Sequence, residues 1–455
     1  MRDLHVLEQF ERQLAREPAA IAVQDLNRRL TYRELDDAAG RLAGYLAALG
    51  VGPADPVGIC LERSIDAIVA TVAVVKANAV YVPLDPEYPP ARLGHILLDQ
   101  VRGEVAATPP VTCVERSGDD PLYAMFTSGS TGSPKAVVIR HRSVVNLVRN
   151  ADYVSLGPSA TILHLAPASF DAATFEIWGA LLTGGRLAVA PPGLLSTEQI
   201  GDLLDRLGVT VLWLTAALFH RMVDENLSAL APLRELLAGG DVLSADHVRR
   251  TLLAHPGLRL VNGYGPTETT TFACCHVMTD PAAVETPVPI GRPIPNVFVH
   301  VVDRNGAALA DGAEGELWIS GAGVGAGYLG RPELTAERFV ADPGGVPGAI
   351  AYRTGDLVRR RPDGVIEFLG RIDEQIVVAR VAPNGDKRLV AYVVPAGSAV
   401  DDRALRRRVA AELPRYMVPA IFVPVRMIPL TPNGKTDRKA LPEPAWPVWP
   451  HATSA

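Results

Sequence analysis

Thr127-Ser128-Gly129-Ser130-Thr131-Gly132-Ser133-Pro134-Lys135 places hydroxyls, two glycines and one cation in a nine-residue loop. It follows the strand-like run 122–126 and precedes the apolar run 136–139. Backbone N–H groups, hydroxyls and an ammonium suit the anionic oxygens of a phosphate chain. The spacing is not that of a Walker A loop, which has four residues between its glycines and a Ser or Thr after its lysine. A flexible Ser/Gly surface turn has the same composition. Lysine is scarce, at Lys76, Lys135, Lys387, Lys435 and Lys439, so a lysine ending such a loop stands out, although codon bias yields the same ratio.

A second cluster, Asn262-Gly263-Tyr264-Gly265-Pro266-Thr267-Glu268-Thr269-Thr270, again follows an apolar run. Tyr264 could stack on a base. The threonine hydroxyls and Glu268 could hold a hydrated Mg²⁺, which commonly takes one or two protein carboxylates. The alternative is a Gly-Pro turn with Glu268 in the first turn of a helix, where a carboxylate is favourable in any case. In Tyr352-Arg353-Thr354-Gly355-Asp356, Asp356 could accept two ribose hydroxyls or serve as a turn residue. Asp171 sits among apolar residues in Phe170-Asp171-Ala172-Ala173-Thr174-Phe175, as an N-cap or as an acceptor for a ligand ammonium. Lys435, in Asn433-Gly434-Lys435-Thr436-Asp437, reads locally as a solvated turn lysine.

The elements that must position these residues alternate. Strand-like runs at 56–60, 79–82, 122–126, 161–165, 186–190, 209–213 and 259–262 are separated by amphipathic stretches, which predicts stacked α/β sheets. From about 297 to 370 closely spaced strands with Gly and Pro turns predict a β-rich subdomain, with runs at 298–302, 315–319, 357–360 and 365–368. Beyond it, a strand at 389–394 and a helix at 404–413 predict a small α+β domain. The fold class is therefore α/β, stacked sheets with a β-rich subdomain, followed after Gly370 by a small α+β segment with a Pro-rich finish.

The 455 residues are 48% hydrophobic and 21% charged, which excludes a disordered chain or a disulfide mini-protein. Forty-four basic against 50 acidic residues give a net charge of −6, which argues against nucleic acid as a partner. The Arg406-Arg407-Arg408 run reads as the solvated side of an amphipathic helix, because Leu405, Val409 and Leu413 recur every four residues. Cys60, Cys113, Cys274 and Cys275 have no CxxC spacing, so neither zinc nor a disulfide framework is suggested. No apolar stretch is long enough to span a bilayer and no signal peptide is visible, so a cytoplasmic location and no membrane partner are expected.

Phosphate loop, base platform, ribose acceptor and lysine are parts of one ATP site, and in combination they carry a resemblance. From about Leu7 to Pro442 the chain resembles amino-acid adenylation domains of nonribosomal peptide synthetases, in the acyl-adenylate-forming superfamily. The matching strings are Leu30-Thr31-Tyr32-Arg33-Glu34-Leu35, Tyr81-Val82-Pro83-Leu84-Asp85-Pro86, the Thr127 to Lys135 loop, Phe170-Asp171 and Gly263 to Glu268. They continue with Gly315-Glu316-Leu317, Gly327-Tyr328-Leu329-Gly330-Arg331-Pro332, Tyr352 to Asp356, Gly370-Arg371-Ile372-Asp373 and Asn433-Gly434-Lys435.

The resemblance implies an enzyme with ATP and Mg²⁺ that joins an amino-acid carboxylate to AMP, releases pyrophosphate, and passes the acyl group to the phosphopantetheine arm of a carrier protein. It implies that Thr127, Ser128, Gly129, Ser130, Thr131, Gly132 and Lys135 hold the β- and γ-phosphates, Tyr264 stacks on adenine, and Thr267 with Glu268 serves phosphate and Mg²⁺. Asp356 and Arg371 would bind the ribose region, Asp373 would be the hinge between a large N-terminal domain over 1–372 and a small mobile α+β domain over 373–445 followed by a tail over 446–455, and Lys435 would bridge the substrate carboxylate and the α-phosphate. The family's pocket positions fall on Asp171, Ala172, Phe175, Trp213, Leu237, Gly239, Gly263, Thr271, Phe272 and Lys435. Asp171 would pair with the α-ammonium, the aromatic residues and Leu237 would close an apolar pocket, and the two glycines would leave it width. This order resembles that of valine-activating domains. An MbtH-like activator is a further partner that such domains can use.

The sequence departs from the family pattern after Asp373-Glu374-Gln375-Ile376, where it passes directly to Val377-Val378-Ala379-Arg380 without the family's Lys-Ile-Arg-Gly loop and Glu-rich helix. That loop lines the path of the carrier arm, so slow thiol transfer is expected. The stretch 100–121 is short, and Ala136 stands where a glycine generally follows the loop lysine.

Overall fold

The computed structural model describes residues 5–85, 96–97, 116–127, 135–149, 151–372, 376–383, 387–393, 401–410, 418–425 and 441–446. Its largest sheet has nine strands, in the order Arg292–Pro293, Cys274–Met278, Arg259–Tyr264, Glu235–Gly239, Val211–Thr215, Thr161–His164, Arg186–Val189, Ile21–Gln24 and Arg29–Thr31. The six strands from Arg259–Tyr264 to Ile21–Gln24 are linked through parallel pairings. Strands covered on both faces read as continuous apolar runs, and every residue of Glu235–Gly239 and of Thr161–His164 is buried.

A second sheet runs Gly327–Tyr328, Lys135–Arg140, Pro121–Thr127, Val80–Pro83, Pro56–Ile59 and Ile96–Leu97. The helix Ala172–Leu181, buried along its whole length, joins the two sheets. It packs on the strands Thr161–His164 and Arg186–Val189 of the first, and Trp178 Nε1 donates to Tyr81 Oη of the second at 3.0 Å. Capping fixes where other helices begin: at Tyr32–Ala48, Thr31 and Glu34 satisfy each other's backbone N–H groups, and Ser196 and Gln199 repeat this at Thr197–Arg206.

The β-rich subdomain appears as a five-stranded antiparallel sheet of Val297–Val302, Glu314–Gly321, Ile350–Arg360 and Phe339–Ala341, with Ile366–Arg371 also paired to Ile350–Arg360. Beyond it, Ile376–Val381 and Lys387–Val393 form an antiparallel hairpin with register from Ile376↔Tyr392 to Val381↔Lys387, and Ile421–Pro424 adds in parallel. The helix here is Asp402–Ala410, and 411–417 lie outside the described residues. Arg407 and Arg408 are exposed as expected. Arg406 is not simply solvated: it pairs with Asp402 at 3.2 Å and donates to the carbonyl of Ala420, tying the helix to the strand it covers. Among the described residues no helix is long and apolar enough to cross a membrane, and Cys60, Cys274 and Cys275 are free thiols.

Candidate active site

In a parallel sheet, loops leaving the carboxyl ends of adjacent strands converge, and ligands bind there. Here those ends are His164, leading to Asp171, then Thr215, Gly239 and Tyr264. The strands Arg259–Tyr264 and Cys274–Met278 form a hairpin closed by the pair Tyr264↔Cys274 and by Ala273 N–H donating to the Tyr264 carbonyl at 2.8 Å. Its tip carries Thr267 and Glu268 in a short 3₁₀ turn, followed by Thr270 and Thr271, both at φ 65°. Two β-branched residues in the left-handed region cost about 1–3 kcal/mol each unless the surroundings hold them. Thr270 Oγ1 donates to the Gly323 carbonyl at 2.7 Å and Thr271 Oγ1 to the Asp171 carbonyl at 2.8 Å, so the strained tip is tied to the start of the helix Ala172–Leu181.

Asp171 occupies the N-cap position of that helix but makes no side-chain cap hydrogen bond. Its carboxyl instead takes hydrogen bonds from the Thr267 side chain and from the Ala172 N–H at the start of the helix. Desolvation raises its pKa to about 6, with the charge of Glu268 adding to the rise and a hydrogen bond from Thr267 opposing it. Asp171, Thr267 and Glu268 are thus close enough to sense one another. Behind Asp171, Phe175 and Phe272 are buried with ring centroids 5.3 Å apart, and Tyr153 meets Phe272 edge-on at 5.9 Å. Ala172, Leu237 and Thr271 are buried and Trp213 is half-buried.

Gly239 and Gly263 do not widen this region, because their neighbours already fill the space. A Cβ on Gly239 would stand 2.0 Å from the Gly263 carbonyl oxygen, and one on Gly263 would stand 2.6 Å from the Phe272 ring. Glycine is needed there for the approach of adjoining chain.

At the other side of the hairpin tip, Glu268 is buried and meets the second sheet. Its Oε1 lies 2.9 Å from Lys135 Nζ and accepts from Tyr328 Oη at 2.7 Å. Burial pushes the Glu268 carboxyl up, but the Lys135 charge and the Tyr328 hydroxyl outweigh it and hold the pKa below its usual value. The loop ending at Lys135 is pinned at both ends by the pair Thr127↔Lys135, with Thr127 Oγ1 3.4 Å from the Lys135 carbonyl. Ser128, Gly129, Ser130, Thr131 and Gly132 lie outside the described residues, as do Asp373 and Lys435.

The third sheet supplies Asp356 and Arg371, which face each other in register. Asp356 is buried; its Oδ2 accepts from the Tyr264 hydroxyl and its Oδ1 from Arg371 at 3.2 Å. Thr354 Oγ1 orients the turn by accepting the Asp356 N–H at 2.9 Å and donating to the Leu317 carbonyl at 2.7 Å. The fold therefore brings together Asp171, Thr267, Glu268, Lys135, Tyr264, Asp356 and Arg371 from three sheets. Tyr328 was present only inside a matching string, without a role; its partners are 60 and 193 residues away in sequence.

Among the described residues no three His, Cys, Asp or Glu side chains form a metal cage. Among the described residues, the ionised Glu268 beside Lys135 fits Mg²⁺ that arrives on a phosphate chain, because Mg²⁺ takes one or two carboxylates and completes its shell with phosphates and water.

Comparison with known proteins identifies the family. The AMP-binding enzyme family matches residues 10–105 and 99–329, and the AMP-binding enzyme C-terminal domain matches 369–435. Tyrocidine synthase 3 of Brevibacillus parabrevis is 40% identical over 98% of this chain, and gramicidin S synthase 2 of Brevibacillus brevis is 38% identical over 96%. The chain spans 8% and 11% of those proteins' lengths. The first alignment extends over 499 residues, more than the 455 of this chain, so the relative carries stretches this chain lacks. Among solved structures, holo-PA1221, an NRPS protein containing adenylation and PCP domains bound to a vinylsulfonamide inhibitor, superimposes with a TM-score of 0.83 at 34% identity, covering 97% of this chain and 85% of that one. An artificially fused adenylation-PCP di-domain from Klebsiella oxytoca gives a TM-score of 0.80 at 27% identity, covering 92% and 86%. With a family match through the sheets that converge on Glu268 and a second over the hairpin domain beyond them, this chain belongs to the AMP-binding enzymes.

Proposed function

We propose that the chain activates a small branched amino acid, L-valine foremost, as aminoacyl-AMP. The observation that carries this reading is Asp171: a carboxylate with no capping bond, beside an apolar cluster and within electrostatic reach of Glu268. A fatty acid offers such a carboxylate nothing, whereas an α-ammonium pairs with it. Phe175, Trp213, Leu237 and Phe272 then face an aliphatic side chain, with Ala172 and Thr271 beside them and Gly239 and Gly263 allowing the strands to close behind.

In the reaction, a carboxylate oxygen of the amino acid attacks the α-phosphorus of ATP. The bond from that phosphorus to the α–β bridging oxygen breaks, and pyrophosphate leaves. Lys135 and the loop from Thr127 take the β- and γ-phosphates, and Tyr264, Asp356 and Arg371 take the adenosine. Thr267 and Glu268 stand between the two substrates, and Mg²⁺ held by Glu268 would neutralise charge on the departing pyrophosphate. Lys435 bridges the carboxylate and α-phosphate, where a fixed cation is worth most as charge moves. Residues 1–372 form the core and 373–445 the mobile domain turning at Asp373.

The carrier thiol is the acceptor in the second step, with an MbtH-like protein as activator. The direct hairpin between Ile376–Val381 and Lys387–Val393 supports a domain that lacks the surface guiding the carrier arm. Adenylate formation is then faster than thioester formation. The test is to quench protein, ATP and valine in acid, assay valyl-AMP by mass, and then follow single-turnover loading of a phosphopantetheinylated carrier. Valyl-AMP that is loaded slowly, and faster once a family-type loop is grafted after Ile376, is the expected result. Absence of valyl-AMP overturns the proposed activity; rapid loading without the graft overturns the separation of steps.

A further inference from the structure

Tyr328 sits on an edge strand of the second sheet, pairing with Val137, and its hydroxyl contacts two residues of the nucleotide site proposed above, Lys135 and Glu268. Three polar groups converge on that oxygen: Glu268 Oε1 at 2.7 Å, Lys135 Nζ at 2.6 Å and Tyr352 Oη at 3.4 Å. Lys135 also stands 4.3 Å from the centre of the Tyr328 ring, which offers the ammonium a cation–π contact. The residue is buried, with its ring packed edge-on against Phe339 at 5.4 Å. Nothing in its packing requires the hydroxyl.

A phenol can donate one hydrogen bond while accepting another. Here it donates to the Glu268 carboxylate and accepts from the Lys135 ammonium. Lys135 is bonded at once to Glu268 and to Tyr328, so when a phosphate draws Lys135 away the carboxylate loses a cation in a buried place. An uncompensated buried charge is costly and tends to reorient or take a proton. The Tyr328 donor bond does not depend on Lys135, so it persists through that exchange.

We propose that Tyr328 is a positioning residue whose hydroxyl keeps Glu268 in one orientation while Lys135 passes from that carboxylate to phosphate, so that the carboxylate is preset for the metal arriving with the nucleotide. The inference rests on the nucleotide-site reading of Lys135 and Glu268, and goes beyond it by assigning a role to a residue that touches neither substrate.

The test is Tyr328→Phe, which keeps the ring, its contact with Phe339 and the strand pairing. ATP binding is measured by calorimetry with and without Mg²⁺, alongside the Mg²⁺ dependence of valine-driven pyrophosphate exchange. A hydrogen bond to a charged group is worth about 1.5–3 kcal/mol, so the Mg²⁺ concentration for half-maximal exchange rises roughly tenfold or more. The tightening of ATP binding by Mg²⁺ shrinks in proportion, while metal-free ATP affinity and the valine KM stay within about twofold. A merely structural role would move all of these together. In a Glu268→Gln background the Tyr328→Phe change has no further effect on Mg²⁺ dependence, and this cycle decides the matter even if the single variant is less stable. Unchanged Mg²⁺ dependence, or additive effects in the cycle, overturns the role of Tyr328. A parent protein whose ATP binding does not respond to Mg²⁺ overturns the nucleotide-site reading itself, and the inference with it.

Discussion

The proposed pairing of Asp171 with a substrate ammonium makes its environment decisive. Its helix gets no capping bond from it, its carboxyl is desolvated, and its pKa of about 6 lies above the ordinary aspartate value. Only the ionised form pairs with an ammonium, so under the proposed role kcat/KM for the amino acid should be half-maximal near pH 6, rise to its plateau above it and fall below it as Asp171 takes up a proton. The profile reports the free enzyme, since kcat/KM follows its ionisations. Asp171→Ala removes the partner of a buried charge, a loss of about 3–5 kcal/mol, so kcat/KM for valine falls by roughly a hundredfold or more while ATP affinity changes little. Exchange kinetics of parent and variant, measured against valine and against pH, check both; a parent without an acid limb near pH 6, or undiminished valine dependence in the variant, contradicts the assignment. Glu268, Tyr264 and Asp356 were legible as candidates because each sits in a short string with Gly and hydroxyl residues, and Asp171 because it is a lone carboxylate among apolar residues. Tyr328 was not, since its partners come from remote parts of the chain and nothing local marks its hydroxyl.

Elements were legible where their boundaries are chemically marked. The runs read at 161–165, 186–190 and 298–302 correspond to Thr161–His164, Arg186–Val189 and Val297–Val302. The strand Glu235–Gly239 was passed over because it begins with a buried glutamate in a Leu-rich stretch without alternation; its Oε1 accepts from Ser155 N–H at 3.2 Å and meets Arg259 at 3.5 Å, while its buried Oε2 has no hydrogen-bond partner among the described residues. A further consequence lies in the N-terminal helix Val6–Arg16. Its cap, His5, stacks on His141 with ring centroids 3.6 Å apart, both buried, and the two rings accept the N–H groups of Leu7 and Val6. Burial, aided by Arg116, lowers the His5 pKa to about 4, and burial pushes His141 well down. Between pH 6.5 and 4 the unfolded chain therefore binds more protons than the folded one, so this packing is fully stabilising above about pH 6.5 and is lost as the pH falls towards 4. Denaturant titrations from about pH 7 to 4.5 should show falling stability, with a shallower slope in His5→Asn; identical slopes contradict this account.

At the scale of the whole molecule, three sheets meet so that the tip of one hairpin faces Asp171 and its apolar cluster on one side and Lys135 on the other. The stacked α/β architecture and the β-rich subdomain could be read from alternation and turn residues. Their convergence could not, because the contacts from Glu268 to Lys135 and from Tyr264 to Asp356 join separate sheets. The chain's proposed activity depends on that convergence, and amino-acid-dependent exchange of pyrophosphate into ATP tests it without a carrier protein. Across a panel of amino acids, valine should drive the fastest exchange with isoleucine next, since one methylene in an apolar pocket is worth only about 1–3 kcal/mol. Exchange driven best by an aromatic or acidic amino acid, or by none, would contradict the account.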